Sequence, residues 1–146
     1  VFFFQAEDGI RVLVRSRGLG DVYKRQGLAS SASGFAALAL AADDVIFDMS
    51  DGRRVIGRDD LRLALAQRAS HFHETLADIA VMTGDGRAAA EFTLKGAYIA
   101  AEPGLPNASG QRFSLQAGAF FEFDDGRISR FSLAINDAAL RRQLSE

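Results

Sequence analysis

The sequence predicts an α+β fold in which a curved antiparallel sheet wraps N-terminal helices to make a conical barrel. Three observations carry that reading. A helical apolar period runs up to residue 42, a second follows Asp59-Asp60, and then come four consecutive segments joined by turns, the first of them with a clear period of two. Strands that follow one another through tight turns pair antiparallel, and helices must cover one face of the sheet they form.

The elements follow in order. Phe35, Leu38, Ala39 and Ala42 fall at i, i+3, i+4 and i+7, with Ser31 or Ser33 placed to cap the start, so a helix is expected there. Val45-Ile46-Phe47-Asp48-Met49 is β-rich and closes at Ser50-Asp51-Gly52, a turn. Asp59-Asp60 puts acid at the positive end of a helix whose apolar stripe is Leu61, Ala64, Leu65 and Phe72. Residues 75–82 alternate as a strand up to Gly84-Asp85-Gly86, and residues 88–99 return. A loop holding both prolines, Pro103 and Pro106, precedes a strand over residues 112–123. Asp124-Asp125-Gly126 turns the chain into a last strand, residues 127–135, and a short helix is expected over residues 136–144. Asp-Gly-Arg recurs at 51, 85 and 125 with different flanks, which makes it turn chemistry and not a repeat.

Composition narrows the function. At 146 residues the chain is one domain's worth, and 48% hydrophobic with 25% charged residues is the balance of a globule with a core. Seventeen basic against nineteen acidic residues give a charge of -2, which argues against a nucleic-acid partner. With no cysteine there is no disulfide, no thiolate metal site and no Cys nucleophile; a reducing, cytoplasmic setting is expected. The longest apolar stretch, residues 35–42, is far short of the ~20 residues a bilayer crossing needs, so no membrane partner is expected.

Residues 1–26 differ from the rest. Phe2-Phe3-Phe4-Gln5-Ala6-Glu7-Asp8-Gly9-Ile10 and Asp21-Val22-Tyr23-Lys24-Arg25-Gln26 resemble translated sequencing-library adapter, as met in reading frames from metagenomic contigs. That segment is read as non-native, residues 27–146 as the domain with its first helix cut short, and residues 1–20 are expected to pack poorly.

Ala42-Asp43-Asp44-Val45-Ile46-Phe47-Asp48, then Gly57-Arg58, Gly110-Gln111-Arg112-Phe113, and Ala117-Gly118-Ala119-Phe120-Phe121-Glu122-Phe123-Asp124-Asp125-Gly126-Arg127-Ile128 together resemble the nuclear transport factor 2-like superfamily, in its SnoaL-like and ketosteroid isomerase-related branch. The resemblance spans residues 27–146. It implies a conical barrel of cystatin-like type with a hydrophobic pocket, often dimerising through the outer sheet face, so a homodimer binding a small apolar molecule is expected, with no cofactor and no metal.

A ketosteroid isomerase uses a carboxylate base and two oxyanion donors, a Tyr and a protonated Asp. By the resemblance, the base falls on Asp48 with a one-residue gap or on Met49 without one. Among Ile46, Phe47 and Met49 a carboxylate would be costly to ionise, which suits a proton abstractor; at a strand end it could equally face water. The acidic donor position holds Ala119, and the Tyr position falls near Arg25, so steroid isomerisation itself is not expected. Tyr98 could supply the missing donor from a pocket wall, Asn136 could hold a substrate oxygen, and His73 could enter the mouth as an acid or base. His71 and His73, two apart, make no metal pair on a helix. Phe121 belongs to an alternating Phe and Ala face that is core by default and a pocket wall otherwise.

Three readings stay open. One is an isomerase- or cyclase-type pocket enzyme with Asp48 as base. Another is a non-catalytic ligand-binding or dimerisation module. The third is an epoxide-hydrolase-like site, hinted at by Arg53, Arg54 and Asp48.

Overall fold

The computed structural model describes residues 38–146. The expectations for residues 1–37, including the adapter-like segment, lie outside the described residues. Residues 38–40 are helical, and then come β1 (Ala41–Asp48), β2 (Arg54–Ile56), α1 (Arg58–His71), β3 (Phe72–Gly84), β4 (Arg87–Tyr98), β5 (Arg112–Asp124), β6 (Arg127–Ile135) and α2 (Asp137–Ser145).

The fold is α+β, with one curved six-stranded sheet in the order β2-β1-β6-β5-β4-β3. The sheet does not close, since β2 and β3 lie at its two edges. Four pairings are antiparallel, but β1 runs parallel to β6, with Phe47 beside Phe131, so the sheet is mixed and not wholly antiparallel as expected. Nothing local in the sequence encodes that pairing, because it joins distant segments. β1 also begins at Ala41, earlier than the residue 45 expected; Ala42 is therefore strand and not helix. Phe72 opens β3 and does not belong to the helix, and the three-residue β2 was not anticipated.

Alternation decides the faces. On β4 and β5 the buried set is Ala88, Ala90, Phe92 and Leu94 against Phe113, Leu115, Ala117, Ala119 and Phe121, as the period of two predicts. Large meets small across the ladder: Phe121 lies opposite Ala88, Phe92 opposite Ala117, and Phe113 opposite Gly96. Gly96 is required there, since an added Cβ would sit 2.4 Å from the Phe113 ring and 2.8 Å from the His73 carbonyl oxygen. β3 breaks its own period. Its ladder is irregular between Ala77 and Ala80, where Asp78 takes a left-handed φ of 53°; before it the even positions are the more buried, after it Ile79 and Val81. Such a bulge bends the strand and helps curve the sheet.

Leu61 of α1 and Leu140 and Leu144 of α2 join the same core cluster as the inward sheet residues, so both helices lie on the inner face. Gly57 starts α1 with φ 98°, a conformation open to glycine, while its N–H donates to the Val45 carbonyl at 2.8 Å. No helix among the described residues is long and apolar enough to cross a membrane.

Candidate functional site

The inner face is filled at one end and open at another. Phe131 stacks on Phe47 at 4.7 Å and on Phe121 at 5.1 Å between ring centroids, so aromatic rings occupy the space beneath β1, β6 and β5. Phe121 is thus buried in the core and is not among the residues that line the open end. Beside Phe72 a cavity of about 1040 Å³ opens instead. Its walls come from four places: the β1–β2 turn with Met49 and Val55, the α1 face with Leu63, Ala64, Gln67 and Arg68, the loop with Glu102 and Leu105, and the start of α2 with Asp137 and Leu140. Ten of the nineteen described residues that line it are polar or charged, so it is a more polar site than the mostly apolar make-up usual for a small-molecule cavity.

The loop wall is fixed by Tyr98. Its ring is fully buried against Phe72 at 5.1 Å, its hydroxyl donates to the Pro106 carbonyl at 2.9 Å, and it accepts from the Glu102 N–H at 2.7 Å. The hydroxyl proton is therefore committed to the fold; Tyr98 shapes the cavity wall and is not the free donor expected of it. Arg141 adds a bond to the Gly104 carbonyl from α2.

Asp48 lies elsewhere. It shares β1 with the inward Phe47, one residue apart, and so points to the opposite face. There Arg54 donates to both carboxylate oxygens, at 2.6 and 3.2 Å, and Arg130 donates to Oδ2 at 2.9 Å. The hydrogen bond from Arg54 and then that from Arg130 hold the carboxyl below its ordinary 3.8, outweighing the opposing effect of burial. The expected upward shift is thereby corrected. Its cause is visible only in three dimensions, since Arg130 is 82 residues away. Of the Arg53, Arg54 and Asp48 cluster, only Arg54 reaches Asp48; Arg53 pairs with Asp51 at 2.6 Å. At the alternative base position, Met49 does reach the cavity, but a thioether takes no proton.

Asn136 caps α2, its side-chain oxygen accepting from the Ala139 N–H at 3.0 Å. His73 is exposed on β3, and the half-buried His71 contacts the Ala100 carbonyl through Nδ1 at 3.1 Å. Among the described residues no three His, Cys, Asp or Glu side chains converge as metal ligands. Ala119 is buried on the inner face and brings no donor.

Several polar groups at the cavity, among them Asp60, Gln67, Asp137 and Arg141, were missed in the sequence, and two stand out. Arg68 and Glu74 form a bidentate pair, Nε to Oε2 at 2.8 Å and Nη2 to Oε1 at 2.5 Å, with the guanidinium also 4.9 Å from the Phe72 ring centre. Glu102 is the other. The two prolines of its loop were the one available signal, since they stiffen the segment that carries it.

The family model of the SnoaL-like domain matches residues 29–131. The chain belongs to the SnoaL-like family. Its place in the nuclear transport factor 2-like superfamily follows, as the resemblance implied. Solved structures agree with that placement. A candidate polyketide cyclase from Xanthomonas campestris is 32% identical, with 92% of this chain and 96% of that one covered and a TM-score of 0.75. Another, from Pseudomonas putida, is 34% identical over 80% of this chain and 99% of the other, with a TM-score of 0.71. A protein of ketosteroid isomerase-like fold from Catenulispora acidiphila, solved with trimethylamine, shares the fold of this SnoaL-like domain at 14% identity, 79% and 81% coverage and a TM-score of 0.62. No curated protein matches the chain in sequence.

Proposed function

We propose that this SnoaL-like domain binds a small, apolar, oxygenated molecule in the cavity beside α1 and moves a proton on it, as a cyclase or isomerase does. The cavity carries the reading: about 1040 Å³ is room for a bicyclic or tricyclic ligand, and its lining sets Met49, Leu63 and Leu105 among charged side chains that can meet the ligand's oxygens. The kinship with candidate polyketide cyclases supports the choice of ligand class. Asp48 has no part in this version, because it does not line the cavity and its carboxylate is held by Arg54 and Arg130.

The chain contains no Trp, so a fluorescent aromatic ligand such as 2-naphthol reads binding cleanly. A blue shift and raised polarisation are expected with the full chain, and Ala64→Phe, which puts a ring into the cavity without adding a Trp, is expected to weaken both. An equal response from that variant would place the ligand elsewhere. A second reading, a non-catalytic binding module, is favoured by Ala119 at the donor position; binding without turnover would select it.

The outer sheet face supports a homodimer. Met82 and Phe120 are large apolar residues that are 62% and 55% exposed, and both lie opposite Ala89 in the ladder. Light scattering of the wild type should give twice the chain mass and Phe120→Arg a single chain; a monomeric wild type would end that assignment.

A further inference from the structure

We propose that Glu102 is the proton carrier of the cavity and Arg68 the donor that holds the substrate's oxygen, an inference that rests on the proton-transfer reading above. Four carboxylates line the cavity, and three have other employment. Asp51 is paired with Arg53. Asp60 and Asp137 sit in the first turns of α1 and α2, where negative charge complements the helix dipole, and Asp137 also accepts from the Ser50 hydroxyl at 3.4 Å. Glu102 alone of the four is off a helix start and has no ion-pair or hydrogen-bond partner for its carboxylate among the described residues.

Glu102 is also held in place. Its N–H donates to Tyr98, its carbonyl accepts from the Leu105 N–H at 3.1 Å, and Pro103 restricts its backbone from the other side. Glu102 is thus a half-buried residue whose backbone is held at both ends on the cavity wall, with its carboxylate left free to take a proton from a bound C–H.

Arg68 supplies what Ala119 lacks. Its Nε and Nη2 are engaged by Glu74, and the stack on Phe72 fixes the plane of the guanidinium. Nη1 keeps its N–H groups without a partner among the described residues, on a side chain that lines the cavity. A preorganised cationic donor there would stabilise an oxyanion as it forms.

The step balances without an oxidant. Glu102 takes the proton from a carbon next to a ketone, the C–H pair moves into the carbonyl, and the enolate oxygen is held by Arg68. The enolate carbon then regains a proton from Glu102. In a molecule with a second carbonyl it instead attacks that carbon to close a ring, and the second oxygen takes the proton.

The test uses 1-tetralone, a bicyclic ketone, with the full chain in deuterium oxide. Proton NMR follows loss of the signal beside the carbonyl, and saturation transfer on the same sample reads binding. The wild type is expected to bind and to exchange that position. Glu102→Gln should still bind and exchange on the order of 100-fold or more slowly, and Arg68→Lys, which leaves a cation for Glu74, should also slow exchange with binding kept. Far-UV circular dichroism checks the folding of each variant. Exchange undiminished in both variants would overturn the assignment of the two residues and leave the proton-transfer reading standing. Binding without exchange by the wild type would overturn both, and absence of binding would overturn the cavity's role as well.

Discussion

The two halves of the inner face differ in how they are made. Beneath β1, β5 and β6 the space is filled by Phe47, Phe121 and Phe131, each supplied by the interior of a strand and each stacked on the next. Beside α1 the space is open, and apart from the α1 face its walls come from places where elements end: a turn, a proline-bearing loop and a helix start. Strand interiors fill because alternation delivers one side chain every second residue to the same layer. Ends do not, and there the interior stays open.

The contrast can be broken by mutation. The largest effect is expected from Phe131→Ala, which removes the ring shared by both stacks and should cost about 3–5 kcal/mol in urea-unfolding free energy. A cost near that of a surface change would mean that the filled end is loosely packed. Next is Tyr98→Phe. It deletes the hydroxyl that ties Glu102 to Pro106, and a loss of about 1–3 kcal/mol is expected. It should also weaken binding of 2-naphthol, since the loop is a cavity wall, whereas Phe131→Ala at a concentration of denaturant-free folded protein should not. Ligand affinity that follows Phe131 and ignores Tyr98 would reverse the roles assigned to the two halves.

The smallest effect belongs to Asp48→Asn. The folded-state pKa of Asp48 is lowered by Arg54 and Arg130, so its contribution to stability is present above 3.8 and lost as pH falls through the lower folded value. The arginines are 51% and 42% exposed, and screening by water limits the contribution to about 1 kcal/mol or less. Urea midpoints of wild type and variant are expected to differ at neutral pH and to converge in acid. A gap that persists unchanged in acid would show that the carboxylate's charge is irrelevant to stability.

Much of the fold was legible in the sequence, and the reason is local. The Asp-Gly turns at 85 and 125 fall at hairpins, with Gly86 at φ 64°, Asp125 at 49° and Gly126 at 75°, as two-residue turns demand. β4, β5, β6 and α2 follow their periods within a residue or two. The parallel contact of β1 with β6 and the face switch at Asp78 were not legible, since the first needs a partner far along the chain and the second depends on one backbone angle. The site was the least legible part. Asp48 drew attention as a carboxylate among apolar neighbours, yet Phe47 beside it points to the other face and two arginines hold it, while Arg68 and Glu102 carry no motif and share a cavity only because the helix and the loop border it.

The parallel seam between β1 and β6 has a consequence for the order of events during synthesis. The β3 to β6 meander can assemble by successive hairpins as it leaves the ribosome, each strand meeting the one just made. β1 emerges before any of them; it can pair at once with β2, whose Arg54 grips Asp48 from six residues away, but its other neighbour must be awaited, since Arg130 lies 82 residues downstream. Until then Val45 and Phe47 belong to a two-stranded ribbon with no wider sheet to join, and a nascent chain halted short of β6 would leave that apolar ribbon unattached.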